Sequence, residues 1–164
     1  VKLRFTTNHD ESAKMSPTKE FGDVRGSMAA FVLTTYLHGG ALIYGSQEAG
    51  YPEAINFFTY VPVDWTGNSE LYQEYCRLMA LYNEYPAIRK GGLKTYPQPD
   101  VLLFEKQDGK DRVLVAVNVR NREVNVTLPQ EWNGHPSRDM YSGTEKKLEA
   151  ELSLCPYQYR IFKY

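Results

Sequence analysis

A chain of 164 residues with 42% hydrophobic side chains can bury the core of one ordinary domain or two small ones, which excludes a disordered polypeptide. Lys and Arg (19) nearly cancel Asp and Glu (20), so a net charge of -1 offers no field for nucleic acid or an anionic membrane, and a neutral partner is expected. Cys76 and Cys155 lie far apart without metal-ligand spacing, no apolar run reaches the roughly 20 residues of a membrane span, and Val1-Lys2-Leu3 begins no signal peptide; no zinc site, disulfide scaffold or membrane partner is expected, and the compartment is left open.

Val1, Leu3 and Phe5 alternate with Lys2, Arg4 and Thr6, which predicts a short strand ending at the polar tip Asn8-His9-Asp10. The strand-like opening on Val1 suggests a piece of a longer protein. After Pro17 and Gly22, Val24 to His38 is apolar on almost every face, as a helix buried on most sides would be, with Gly39-Gly40 as its stop. Ala41 to Tyr44 reads as a wholly apolar strand, and strand, helix, strand suggests a βαβ unit. Ser46 to Gly67 is too long for a mere connector and carries Phe57, Phe58, Tyr60 and Trp65. Asn68 or Ser69 then caps a helix with Leu71, Tyr75, Leu78 and Tyr82 at helical spacing, ending near Pro86.

From about Leu93 the period changes to two. Val101 to Phe104 and Val113 to Val119 flank Asp108-Gly109, a strong hairpin signal. Val124/Val126/Leu128, Met140-Tyr141, Leu148/Leu152/Leu154 and Tyr157/Tyr159/Ile161 continue as short strands between turn residues, which predicts an antiparallel sandwich. The fold class is therefore α/β plus all-β, with a boundary near Gly91-Gly92.

Taken alone, Asn8-His9-Asp10 is weak ground for catalysis, because strand-end loops favour Asn and Asp for their backbone hydrogen bonds. Its place after the C-terminal end of a strand in parallel α/β sequence is where reactive residues sit, and the tip Tyr44 to Gly50 would open on the same face.

Phe5-Thr6-Thr7-Asn8-His9-Asp10, followed by a helix and Gly39-Gly40-Ala41-Leu42-Ile43-Tyr44-Gly45-Ser46-Gln47-Glu48, resembles the last conserved stretches of the α-amylase family of glycoside hydrolases, family 13. Trp65, the stretch Asn83 to Gly91 and the terminal β domain also look like that family's C-terminal half. The resemblance implies that residues 1–92 are the last units of a (β/α)8 catalytic barrel and residues 93–164 its β-sandwich domain. It implies that Asp10 grips the sugar in the cleavage subsite and stabilises positive charge, and that His9 and Asn8 form the substrate-binding tip, His9 hydrogen-bonding the same sugar and Asn8 serving more to support the loop. The family usually has Pro at Ala41 and Gly at Ser46, so Gln47 and Glu48 read as structural.

Retaining hydrolysis needs a nucleophile and a general acid roughly 5 Å apart, and the resemblance places both on earlier barrel strands. Asp10 and Glu11, adjacent in an extended segment, point to opposite sides and do not form such a pair. The expected parent acts on α-1,4 bonds of starch-like glucans. The isolated chain is expected to be inactive, with the N-terminal barrel segment of its parent as a partner and a bare strand edge that favours self-association or rearrangement. No cofactor is expected in this chain; calcium, frequent in the family, belongs to the absent part. The alternative is a non-catalytic sandwich that binds carbohydrate or stabilises the barrel.

The bland readings of the remaining signals are that Tyr72, Tyr75, Tyr82, Tyr157 and Tyr159 pack in the core or at a domain seam, and that Trp132 anchors a turn, exposure making it a binding platform instead. His38 reads as a helix cap and His135 as a turn residue. Asn125-Val126-Thr127 matches a glycosylation sequon but falls mid-strand.

Overall fold

The computed structural model describes residues 2–164; Val1, the first apolar position of the predicted opening strand, lies outside them. Strand β1 (Leu3–Arg4) pairs in parallel with β2 (Gly40–Ala41), Leu3 opposite Gly40 and Arg4 opposite Ala41. The short helix α1 (Pro17–Glu20) and the long helix α2 (Val24–Tyr36) lie between them. Parallel pairing across a helix is the expected βαβ connection, but the ladder is only two residues long. Leu42 to Tyr44, predicted to continue the strand, has no ladder partner among the described residues.

Asp23 starts α2 by accepting the Gly26 N–H at 2.8 Å, and the helix buries Met28, Ala29, Phe31, Val32 and Tyr36. A single-turn 3-10 helix (Gln47–Ala49) follows β2. Helix α3 (Ser69–Glu84) is capped by the Asn68 side chain, which accepts the Leu71 N–H at 3.0 Å. It stops where Pro86 cannot donate, and the proline opens a new turn as the first residue of α4 (Pro86–Lys90) instead of ending helical structure. The buried Tyr36 hydroxyl donates to the Leu78 carbonyl at 2.7 Å and ties α2 to α3.

Strands β3 (Gly92–Tyr96), β4 (Val101–Asp108), β5 (Asp111–Asn118), β7 (Pro136–Asp139), β8 (Glu145–Lys147) and β10 (Tyr159–Lys163) form one antiparallel sheet in the order β3-β4-β5-β10-β7-β8. Strands β6 (Val124–Thr127) and β9 (Glu151–Leu154) form a second, two-stranded antiparallel sheet. The β4–β5 hairpin has Asp108 opposite Asp111, so its turn is Gly109-Lys110; Gly109 at φ 61 takes the first central position, where a side chain would be strained.

The middle of the large sheet is covered on both faces. Val101, Leu103, Leu114, Ala116 and Phe162 pack with Val126, Leu128, Trp132, Leu148 and Leu154 to make the sandwich core. The alternate residues Phe104, Val113, Val115, Val117 and Ile161 face the other way and pack on α2, α3 and α4. That double cover is why β5 is buried from Val113 to Asn118 without interruption. Gly91 sits at the junction: a Cβ there would meet the Ala87 carbonyl at 2.4 Å and the Gln107 backbone at 2.9 Å, so α4 and β4 approach closely only because it has none.

Met140-Tyr141, predicted as strand, forms a turn. The Asp139 carboxylate accepts the backbone N–H of Tyr141 at 3.0 Å and of Ser142 at 3.1 Å, which ends β7 before Met140.

Candidate functional site: the tip after β1

Beyond Arg4 the chain turns at Asn8. Its Oδ1 accepts the backbone N–H groups of Asp10 at 3.0 Å and Glu11 at 2.8 Å, and Ser12 N–H donates to the Asn8 carbonyl at 2.9 Å. The segment from His9 to Lys14 is therefore a set of turns and not the extended run on which the Asp10/Glu11 argument rested. Glu11 forms a surface ion pair, with Lys14 Nζ donating to both its oxygens at 3.1 Å.

His9 and Asp10 stand side by side in solvent, His9 Nε2 3.4 Å from Asp10 Oδ1, with side chains 56% and 67% exposed. Both are thus free to meet a ligand. The His9 ring is 5.4 Å from Phe57 in an edge contact and 6.3 Å from Tyr44. Phe57 in turn packs on Phe58 at 4.1 Å. Sequence reasoning noted these phenylalanines without placing them beside His9, because the contact spans 48 residues and leaves no local signal.

Two loops are laced together beneath the tip. Ser12 Oγ donates to the Ile55 carbonyl at 3.0 Å, Ile55 N–H donates to the Ser12 carbonyl at 2.7 Å, and Ser16 Oγ donates to the Pro52 carbonyl at 2.7 Å. Lys19 and Glu53 add an ion pair of 2.7 Å. At the second tip, buried Gln47 donates from Nε2 to the Tyr75 hydroxyl at 2.9 Å. Glu48 has one buried carboxylate oxygen, Oε2, without a partner among the described residues. No group of three or more His, Cys, Asp or Glu among the described residues is placed to hold a metal ion, and no helix among them is long and apolar enough to cross a membrane.

The sandwich carries a second polar cluster, and it is buried. Glu105 accepts from Arg112 Nε at 2.7 Å and Nη2 at 2.9 Å, from Trp132 Nε1 at 2.9 Å and from the Tyr96 hydroxyl at 2.9 Å. Burial alone would raise its pKa, but these donors outweigh it and hold the carboxyl below the ordinary range. Trp132 is fully buried, which removes the platform that exposure would have made of it. Tyr72 is 49% exposed, against the expectation that it packs inside, whereas Tyr75 is in the core. Lys106, also buried, donates to the last-turn carbonyl of Leu37 at 3.3 Å and lies 3.4 Å from His38 Nδ1, so His38 does sit at a helix end. His135 stacks on Tyr164 at 3.5 Å, and Asn125 is exposed on β6.

Residues 93–161 match the family described as Maltogenic Amylase, C-terminal domain. A cyclomaltodextrinase of Geobacillus thermopakistaniensis (strain MAS1) is 28% identical over 152 residues, 86% of this chain and 26% of that protein. A gamma-CGTase from alkalophilic Bacillus clarkii superposes on 98% of this chain and 25% of its own length, with a TM-score of 0.76 and 20% identity. AmyP, crystallised with maltose, covers 85% of this chain and 34% of its own, with a TM-score of 0.72 and 18% identity. At those identities the two structures speak for the fold alone. The chain is thus similar to the C-terminal portion of amylase-type enzymes. Its β part resembles the C-terminal domain of maltogenic amylases, and the chain spans about a quarter of the cyclomaltodextrinase it matches.

Proposed function

We propose that this chain supplies one wall of the active site of a retaining α-glucan hydrolase acting on α-1,4 bonds of starch-like substrates. In this reading residues 1–92 are the last two units of a (β/α)8 barrel and residues 93–164 the sandwich that packs against them. The parallel β1–β2 pair joined through α2 supports the barrel assignment.

The observation that carries the proposal is the pairing of His9 and Asp10, exposed and 3.4 Å apart after the C-terminal end of β1, on a turn that Asn8 holds. A carboxylate so placed can hold the hydroxyls of a distorted sugar and stabilise an oxocarbenium-like charge, while His9 donates to the same ring. The nucleophile and the general acid belong to barrel strands outside this chain, so the chain alone does not turn over substrate. With the parent's N-terminal barrel segment added, Asp10→Ala should lower turnover of a chromogenic malto-oligosaccharide by about 10²–10³-fold, the usual effect of losing one transition-state stabiliser. Unchanged turnover would remove Asp10 from the site.

A further inference from the structure

A cavity that Asp10 does not line lies in the seam between the N-terminal turns of α2 and α3 and the loops that flank β7 and β10. Its volume is about 650 Å³, within the range of small-molecule sites. We propose that this cavity is a second, non-catalytic site for a short neutral oligosaccharide.

The lining sets the chemistry. Glu74 of α3 receives the hydroxyls of both Tyr141 and Tyr159, which fixes the two phenols at the cavity wall. Arg77 lies over the Tyr141 ring at 4.5 Å and holds it from behind. Tyr157, the one non-glycine residue with positive φ among those described, adds a third tyrosine. Met28 and Leu71 supply further apolar surface.

The cations of the lining are paired, and Glu70 and Glu74 leave it net acidic, which disfavours an anionic ligand. Arg160 pairs with Asp139 at 3.0 Å, Arg25 pairs with Asp23 at 3.0 Å, and Glu74 is satisfied by the tyrosines. No free cation is left for a phosphate or carboxylate ligand. Hydrogen-bonding capacity does remain: Arg160 Nε is buried without a partner. An alkyl chain would leave that donor unmet, at a desolvation cost. A ring with apolar C–H faces and a rim of hydroxyls meets both demands, since phenol rings offer flat apolar faces with polar edges.

Cys155 is an exposed free thiol on the cavity wall, and Cys76 is a second exposed thiol that does not line it. The test is the rate of iodoacetamide alkylation at each cysteine of the full chain, read by mass spectrometry, with maltoheptaose and separately cellohexaose added. The expected result is slowing of Cys155 by about threefold or more near saturation, as mass action requires, with Cys76 unchanged. Ser142→Trp, which puts a bulky ring in the cavity lining, should abolish the protection, and circular dichroism would confirm that it folds. The choice of maltoheptaose rests on the function proposed above, but the site does not: Asp10→Ala should leave the protection intact, and protection by cellohexaose alone would support the site while removing its preference for α-linked glucose. Equal slowing of both cysteines, protection that survives Ser142→Trp, or no protection by either sugar would overturn the proposal.

Discussion

The central sheet and the tip after β1 are held in opposite ways. β5 is buried from Val113 to Asn118 because the sandwich core covers one face and the helices the other. His9 and Asp10 are more than half exposed and stay in place through the Asn8 side chain and the hydrogen bonds between Ser12 and Ile55. Apolar burial makes the first region indispensable to stability. A few polar contacts make the second available to a ligand, so substitutions there can change chemistry while the fold is untouched.

That contrast is broken most severely from the core. Phe104→Ala opens the helix side of the sheet and should cost about 3–5 kcal/mol in urea unfolding. Glu105→Gln weakens the fork to Arg112, and because Arg112 keeps some solvent the loss should be smaller, about 1.5–3 kcal/mol, the range for hydrogen bonds to charged groups. The pH dependence follows from the depressed Glu105 pKa: its contribution is complete above the ordinary value of 4.5 and is lost as pH falls below it. The Gln variant should therefore show a shallower acid limb in thermal melts between neutral pH and pH 3. Gly91→Ala forces α4 away from β4 and should cost about 1–3 kcal/mol by the same denaturation assay.

Effects at the tip are smaller in stability. Asn8→Ala removes a cap-like acceptor worth about 1 kcal/mol, seen as faster hydrogen exchange at the Asp10 and Glu11 amides. His9→Ala and Asp10→Ala should leave the unfolding midpoint within about 0.5 kcal/mol of the parent chain. A larger loss at either position would mean that the tip is a structural loop.

Legibility followed the same division. The sandwich could be read because period two, the Asp108-Gly109 signal and short turn-bounded runs are local properties of β strands. The Met140-Tyr141 strand was misplaced because the Asp139 side chain, and no apolar pattern, decides where β7 stops. Continuation of helix past Pro86 was missed because proline, which ends α3, also suits the first position of α4. At the tip, residue types alone could not separate a polar loop from a subsite; the motif resemblance singled out Asp10 and His9. The neighbours that shape the tip, Phe57 and Ile55, are more than 40 residues away and left no pattern to read.

The central claim is that the tip is one wall of a divided active site. Its most direct test is turnover of a chromogenic malto-oligosaccharide by the purified chain alone and mixed with the parent's N-terminal barrel segment. The account predicts activity only in the mixture. Turnover by the lone chain would contradict it and would place the nucleophile and the general acid within this chain.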